Sequence, residues 1–224
     1  MGEFAAGLAH DIKNPLAGIK ASVEALLGEQ CISEEDRADI IRAADEIKRI
    51  EVLLKNLLNF AKPSKPQPIA LDINDFIDKT IVFSLKHPSV AANTSTTINV
   101  IRDFDRKLPE IMADPMQLQQ VFLNLILNAI DVMPNGGTLA VKTSHDKDAK
   151  TIHIDISDTG GGIDGSMADQ IFQPFFTTKT KGTGLGLAIS KRLTEQHGGG
   201  ICIENRPGIG VIFHVSLPVR KERI

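Results

Sequence analysis

The sequence predicts two units of different class. The first is an all-α helical hairpin forming a dimeric four-helix bundle. The second is an α+β two-layer sandwich, a mixed sheet with helices on one face. Three observations carry this. Residues 1–62 hold one of the 11 prolines and repeat apolar residues at helical spacing. Residues 69–224 interleave strand-like and helix-like runs, with more strands than helices. Between them, over 63–68, Pro63, Pro66 and Pro68 end a helix and favour an extended linker.

In the first helix Phe4, Leu8, Ile12, Leu16, Ile19, Val23, Leu26 and Leu27 fall in one stripe. Gly28 to Ile32 interrupts it. Ser33, followed by Glu34, Glu35 and Asp36, suits an N-cap with acid in the first turn. Ile40, Ile47, Ile50, Leu54, Leu57 and Leu58 form a second stripe. Two helices bury only one seam, so so apolar a hairpin predicts pairing with a second copy. Further on, 97–104, 138–143, 151–157, 200–205 and 211–217 read as strands, and 75–86, 115–133 and 185–197 as helices. Asp114 caps the second of these helices, with Pro115 at its first position, and Gly198 closes the third.

A balance of 25 basic against 28 acidic residues, net −3, argues against a nucleic-acid binder built on a broad basic face. Cys31 and Cys202 are too few and too far apart for a disulfide scaffold or a zinc cluster, and read as packing residues in a reducing compartment. No apolar run reaches the ~18 residues of a membrane span, and the N-terminus lacks the form of a signal peptide.

Three groups of residues stand out chemically. His10 falls nearly opposite the apolar stripe, so its imidazole is expected to face solvent. A lone exposed histidine is ordinarily just solvated. Here Asp11 adjoins it, Asn14 lies one turn on, and Pro15 removes a hydrogen bond within the helix. An imidazole of ordinary pKa ~6.5 offers a lone pair at neutral pH, while a carboxylate can orient its other nitrogen. On 115–133, Gln117, Gln120, Asn124, Asn128 and Asp131 share a narrow sector that suits solvent or a polar ligand. Ile152, Ile154 and Ile156 alternate inward and Asp158 continues their phase. It either caps a tight turn or meets a ligand beside Gly160, Gly161 and Gly162. The run from Gly182 to Ala188 opens a helix, where backbone N–H groups favour phosphate. The irregular segment ending Phe172 to Lys179 reads as a lid.

Phe4 to Leu16, containing His10-Asp11-Ile12-Lys13-Asn14-Pro15, resembles the H-box of two-component sensor histidine kinases. Asn124 to Ala129 resembles the N-box, Asp158 to Ile163 the G1 box, Phe172 to Lys179 the F-box and Gly182 to Ala188 the G2 box, in the family's order. The resemblance covers essentially the whole chain, and its wording is most similar to the nitrogen-regulation branch. It implies a phosphotransfer and dimerisation domain over 1–62 and an ATP-binding domain of the gyrase, chaperone and histidine-kinase type over 69–224. It implies transfer of the γ-phosphoryl of Mg-ATP to His10 and then to an aspartate of a response-regulator receiver domain. Asp11 would act as base or orienter, and Asn14 in dephosphorylating the regulator. Asn128 would bind Mg²⁺ and Asp158 the adenine amino group. Gly160, Gly162, Phe175, Lys179, Thr183, Gly184, Leu185 and Gly186 would complete the nucleotide site, with Lys181 a further candidate for phosphate. The ATP-hydrolysing relatives carry Glu where Asn124 stands, which disfavours a gyrase-like ATPase. A nucleotide-binding scaffold or phosphatase-dominant protein is the other reading. The chain opens just before the H-box, so it is expected to be either an excised cytoplasmic core without its sensor, which is favoured, or a soluble protein driven by a partner. It is expected to form a homodimer, without nucleic acid and without membrane contact by this segment.

Overall fold

A computed structural model describes residues 2–28, 32–61, 64–87, 90, 97–179 and 182–219. The side chains of 2–11, 52, 55–57, 59–61 and 166 lie outside that description. The expectations for Cys31, for Lys62 and Pro63, for Lys181 and for the side chains of His10 and Asp11 therefore fall outside it. The chain divides into two compact units, 1–64 and 65–224.

The first unit is a hairpin of α1 (Gly2–Leu27) and α2 (Glu34–Ala61). Helix α1 runs through Pro15. Ser33 Oγ accepts the Asp36 N–H at 3.1 Å and donates to the Asp36 carboxylate at 2.6 Å, a reciprocal cap for α2. Among the described side chains of the hairpin Leu16 and Ile47 are the buried ones, 6% exposed each, and Lys20 on α1 pairs with Glu51 on α2 at 3.0 Å. Of the first stripe's other described members, Ile12, Ile19 and Leu26 are exposed, Ile19 at 54%, and Val23 and Leu27 are half-buried; on α2, Ile41 is exposed too.

The second unit begins with β1 (Ile69–Leu71), antiparallel to β3 (Ile111–Ala113). Between them lie α3 (Ile73–Leu85), capped by Asp72, and β2 (Ile98–Asp103). Then follow α4 (Pro115–Asp131), β4 (Gly137–Asp146), β5 (Thr151–Ser157), a 3₁₀ turn at Gly165–Met167, α5 (Gly186–Gln196), β6 (Gly200–Arg206) and β7 (Gly210–Pro218). The main sheet runs β2-β4-β5-β7-β6, with β2 parallel to β4 and the other pairs antiparallel. Its inner phase, including Val141, Ile154, Ile156 and Phe213, is buried, as are Ile77 of α3, Phe122 and Leu125 of α4, and Ile189 of α5. Phe76 meets Phe122 edge-on with centroids 6.4 Å apart. The strands β1 and β3 were not foreseen, because three residues are too short to show a period.

One expectation is corrected here. Cys202 is not a packing residue: it is exposed, on the open face of the edge strand β6, opposite His214. Its neighbours Ile201 and Ile203 take the inner phase of a strand whose period is two.

Candidate functional site

A cavity of about 460 Å³ opens where the C-terminal half of α4, the turn after β5, the segment 163–179 and the turn before α5 converge. Asn124, Asn128, Asp158, Gly162, Lys179, Thr183, Gly184 and Gly186 all line it. Gln117 and Gln120 do not; they sit nearer the start of α4, where Gln117 is buried. The polar sector of α4 thus splits, and only its last three members, including Asp131, face the cavity.

Asp158 marks one end. It is 4% exposed, and its Oδ1 accepts the N–H groups of Gly160 at 2.8 Å and Val211 at 3.4 Å. Burial pushes its carboxyl above the usual carboxylate range, against the pull of those two donors. Both bonds fall on Oδ1, which leaves Oδ2 without a protein partner among the described residues. Gly160 does not line the cavity: a Cβ there would lie 2.3 Å from Val132, so the turn is packed onto the end of α4.

The other end lies between two helix termini of opposite polarity. There α4 ends at Asp131, whereas α5 starts at Gly186, after an N-cap Leu185 that makes no side-chain cap. The first N–H groups of α5, beside Gly184, Gly186 and Leu187, therefore border the cavity as donors. Leu185 itself is core, 1% exposed. Thr183 Oγ1 accepts its N–H at 3.2 Å. Asn124 Nδ2 donates to the Gly186 carbonyl at 3.2 Å and to Ser190 Oγ at 3.4 Å, bracing α5 against α4. From the lid, Lys179 Nζ donates to Asn128 Oδ1 and Asp131 Oδ2, each at 2.8 Å.

The lid is pinched at its base. The Phe175 N–H donates to the Gly184 carbonyl at 2.9 Å, and both residues are left-handed, at φ 68° and 65°. A Cβ at Gly184 would stand 2.3 Å from the Phe175 backbone, so only glycine fits. Phe175 points away, 62% exposed, and its neighbour Phe176 lines the cavity with Thr177 and Thr178. Phe172 lies under Lys191 of α5, whose Nζ is 5.8 Å from the ring centroid. Ile163, Met167, Ile171, Leu187 and Phe213 supply an apolar wall. Sequence reasoning missed this wall because its members come from irregular chain or read as plain core.

The residues present fit a magnesium nucleotide. A buried carboxylate, an apolar wall and a run of N–H donors suit base, ring face and phosphates in turn. No group of three His, Cys, Asp or Glu side chains among the described residues is arranged to hold a metal. On α1, Asn14 and Pro15 are exposed.

Comparison with known proteins places these features in a family. Residues 113–221 match the profile "Histidine kinase-, DNA gyrase B-, and HSP90-like ATPase", and residues 1–66 match "His Kinase A (phospho-acceptor) domain". The sensor histidine kinase ZraS of Escherichia coli is 38% identical over 223 residues, covering 100% of this chain and 46% of its own. Sporulation kinase E of Bacillus subtilis is 36% identical over 99% of this chain and 29% of its own. The sensory histidine kinase/phosphatase NtrB of Rhodobacter capsulatus is 32% identical, over 97% of this chain and 62% of its own. The chain thus spans roughly a third to a half of the length of most of these relatives. Histidine kinase ThkA, solved in complex with the response regulator TrrA, is 25% identical over 100% of this chain and 63% of its own, with a TM-score of 0.66. The fold of ShkA, solved with AMPPNP, superposes over 97% of this chain and 46% of its own at a TM-score of 0.82 and 24% identity. With a phospho-acceptor hairpin and a histidine-kinase-type ATPase sandwich in that order, the chain belongs to the sensor histidine kinases.

Proposed function

We propose that this chain is a kinase core that moves the γ-phosphoryl of Mg-ATP to His10 and then to an aspartate of a response-regulator receiver domain. It works as a homodimer, and Asn14 supports a regulator phosphatase activity. The observation that carries the reading is the polarised cavity, with buried Asp158 at one end and the uncapped start of α5 facing Asn128 at the other. The regulator and the phosphatase activity are supported by ThkA, solved with TrrA, and by NtrB, described as a kinase/phosphatase.

Bound Mg-ATP supplies the phosphoryl group and the charge that screens its oxygens. Each residue then has a task. Asp158 Oδ2 accepts the hydrogen bond of the adenine amino group. Gly184, Gly186 and the first N–H groups of α5 hold phosphate, and Asn128 offers its amide oxygen to the cation. Asn124 cannot act as a base on water, because a carboxamide has no proton-accepting nitrogen or carboxylate and its amide braces α5. The site therefore holds the nucleotide for transfer, not for rapid hydrolysis. His10 attacks with a neutral ring nitrogen, while Asp11 accepts the N–H of the other and stabilises the developing positive charge. Phosphoryl transfer demands positioning and electrostatics more than covalent help from the protein.

The test is labelling with γ-labelled ATP. Wild type should take up acid-labile, base-stable label, and His10→Gln none; label at the wild-type level in His10→Gln overturns the assignment. Asn14→Ala should label normally but slow the loss of phosphate from a pre-phosphorylated cognate regulator. Equal decay with wild type and variant removes Asn14 from the mechanism.

A further inference from the structure

Asp131 breaks a local rule. It is the last residue of α4, where the helix dipole is negative and a carboxylate is unfavourable, and the last turn of α4 carries no basic residue. The compensating charge comes from across the cavity. One ammonium, Lys179 Nζ, donates to Asp131 Oδ2 and Asn128 Oδ1, each at 2.8 Å. Asn128 and Asp131 are three residues apart, on one face of the helix. Two side-chain oxygens and the negative end of α4 thus converge on a single positive charge. As a folding device this is weak: the Lys179 and Asp131 side chains are 39% and 45% exposed, and exposed ion pairs contribute little.

We infer that Asp131 and Asn128 together form the divalent-cation site, and that Lys179 is its exchangeable occupant. The inference rests on the reading of the cavity as a Mg-ATP site, and adds to it a second, anionic determinant. Magnesium prefers oxygen donors and commonly takes a carboxylate along with phosphate oxygens. Asn128 alone is neutral; Asp131 brings the charge. Two cations on one amide oxygen repel each other, so Lys179 must leave Asn128 when the site takes a divalent ion. The pinched base of the lid keeps the released ammonium tethered beside the cavity, where the phosphates are its next partner. Lys179 therefore attracts nucleotide in the absence of magnesium, and Asp131 sets how much magnesium adds.

The experiment is calorimetric binding of a non-hydrolysable ATP analogue to the full chain, with Mg²⁺ and with EDTA. Asp131→Asn should cut the affinity gained from Mg²⁺ by about tenfold, the worth of one charge-assisted contact, without weakening binding in EDTA. Lys179→Met should weaken binding in EDTA and keep the magnesium gain. Retained binding in EDTA shows that Asp131→Asn is folded, and a retained magnesium gain shows the same of Lys179→Met. A magnesium gain identical in wild type and Asp131→Asn overturns this inference alone. A wild-type chain that binds no analogue in either condition overturns the reading of the cavity, and the inference with it.

Discussion

Asp158 sets ligand recognition against stability. Burial raises its carboxyl, so the ionised form costs the folded chain free energy. The sign follows from linkage: the stability tied to this group is full below the unfolded value of ~3.9 and is lost as pH rises through the raised folded value. Asp158→Asn keeps an oxygen for the Gly160 and Val211 donors but replaces the cavity-facing oxygen with an N–H donor. The variant should melt at higher temperature than wild type at pH 7, with the gain shrinking toward acid pH. Its nucleotide affinity should fall by roughly 10–150-fold, the range for one hydrogen bond to a charged group. Thermal melts across pH and calorimetry check the two halves; a lower melting temperature at pH 7 would refute the burial argument. Two aromatic residues show where sequence reasoning stops. The phase of a strand identified Asp158 as inward-facing. No such phase exists in the turn at Phe175 and Phe176, and there the first ring points out while the second lines the cavity.

Among the elements, α4 is held at its start by one carboxylate with several tasks. Asp114 Oδ1 accepts the N–H groups of Met116 and Gln117, at 2.9 and 3.1 Å, and Oδ2 accepts that of Gln67 at 2.8 Å. The Asp114 N–H donates to His197 Nε2 at 3.0 Å, and His197 Nδ1 lies 2.8 Å from the Leu193 carbonyl. That pattern makes Nδ1 the protonated nitrogen, in the neutral ring. One residue thus joins the entry to β1, the start of α4 and the end of α5. Burial acts to raise Asp114, but the N–H donors of Gln67, Gln117 and Met116 outweigh it and hold the carboxyl below the usual range. Its contribution is present above the unfolded value of ~3.9 and lost as pH falls through the lowered folded value. Asp114→Ala should cost about 1–3 kcal/mol at pH 7, with the difference from wild type vanishing in acid; urea unfolding at each pH measures it. The cap itself was legible from Asp114-Pro115, because capping is local chemistry. The bonds to Gln67 and His197 were not, since they join residues 47 and 83 positions away through the fold. The Lys179 contact with Asp131, 48 positions apart, was hidden for the same reason.

For the whole molecule, the exposed apolar residues of the hairpin are the surface that the proposed homodimer would bury. Ile19 at 54% exposure, with Ile12, Leu26 and Ile41, leaves an apolar surface that a second hairpin would cover. Light scattering at micromolar concentration should give a dimer mass. Ile19→Glu should give a monomer with its helical circular dichroism retained; a dimer of unchanged strength would exclude this stripe as the interface. The sandwich carries a different kind of freedom. Because the Phe175–Gly184 bond joins the two feet of the lid, the length of chain between them can change without moving either foot. Ring closure grows only logarithmically with length, ~0.6 kcal/mol for each doubling. The lid is thus an interchangeable cartridge: descendants of this gene can lengthen or shorten it, and retune what it admits, without renegotiating the core.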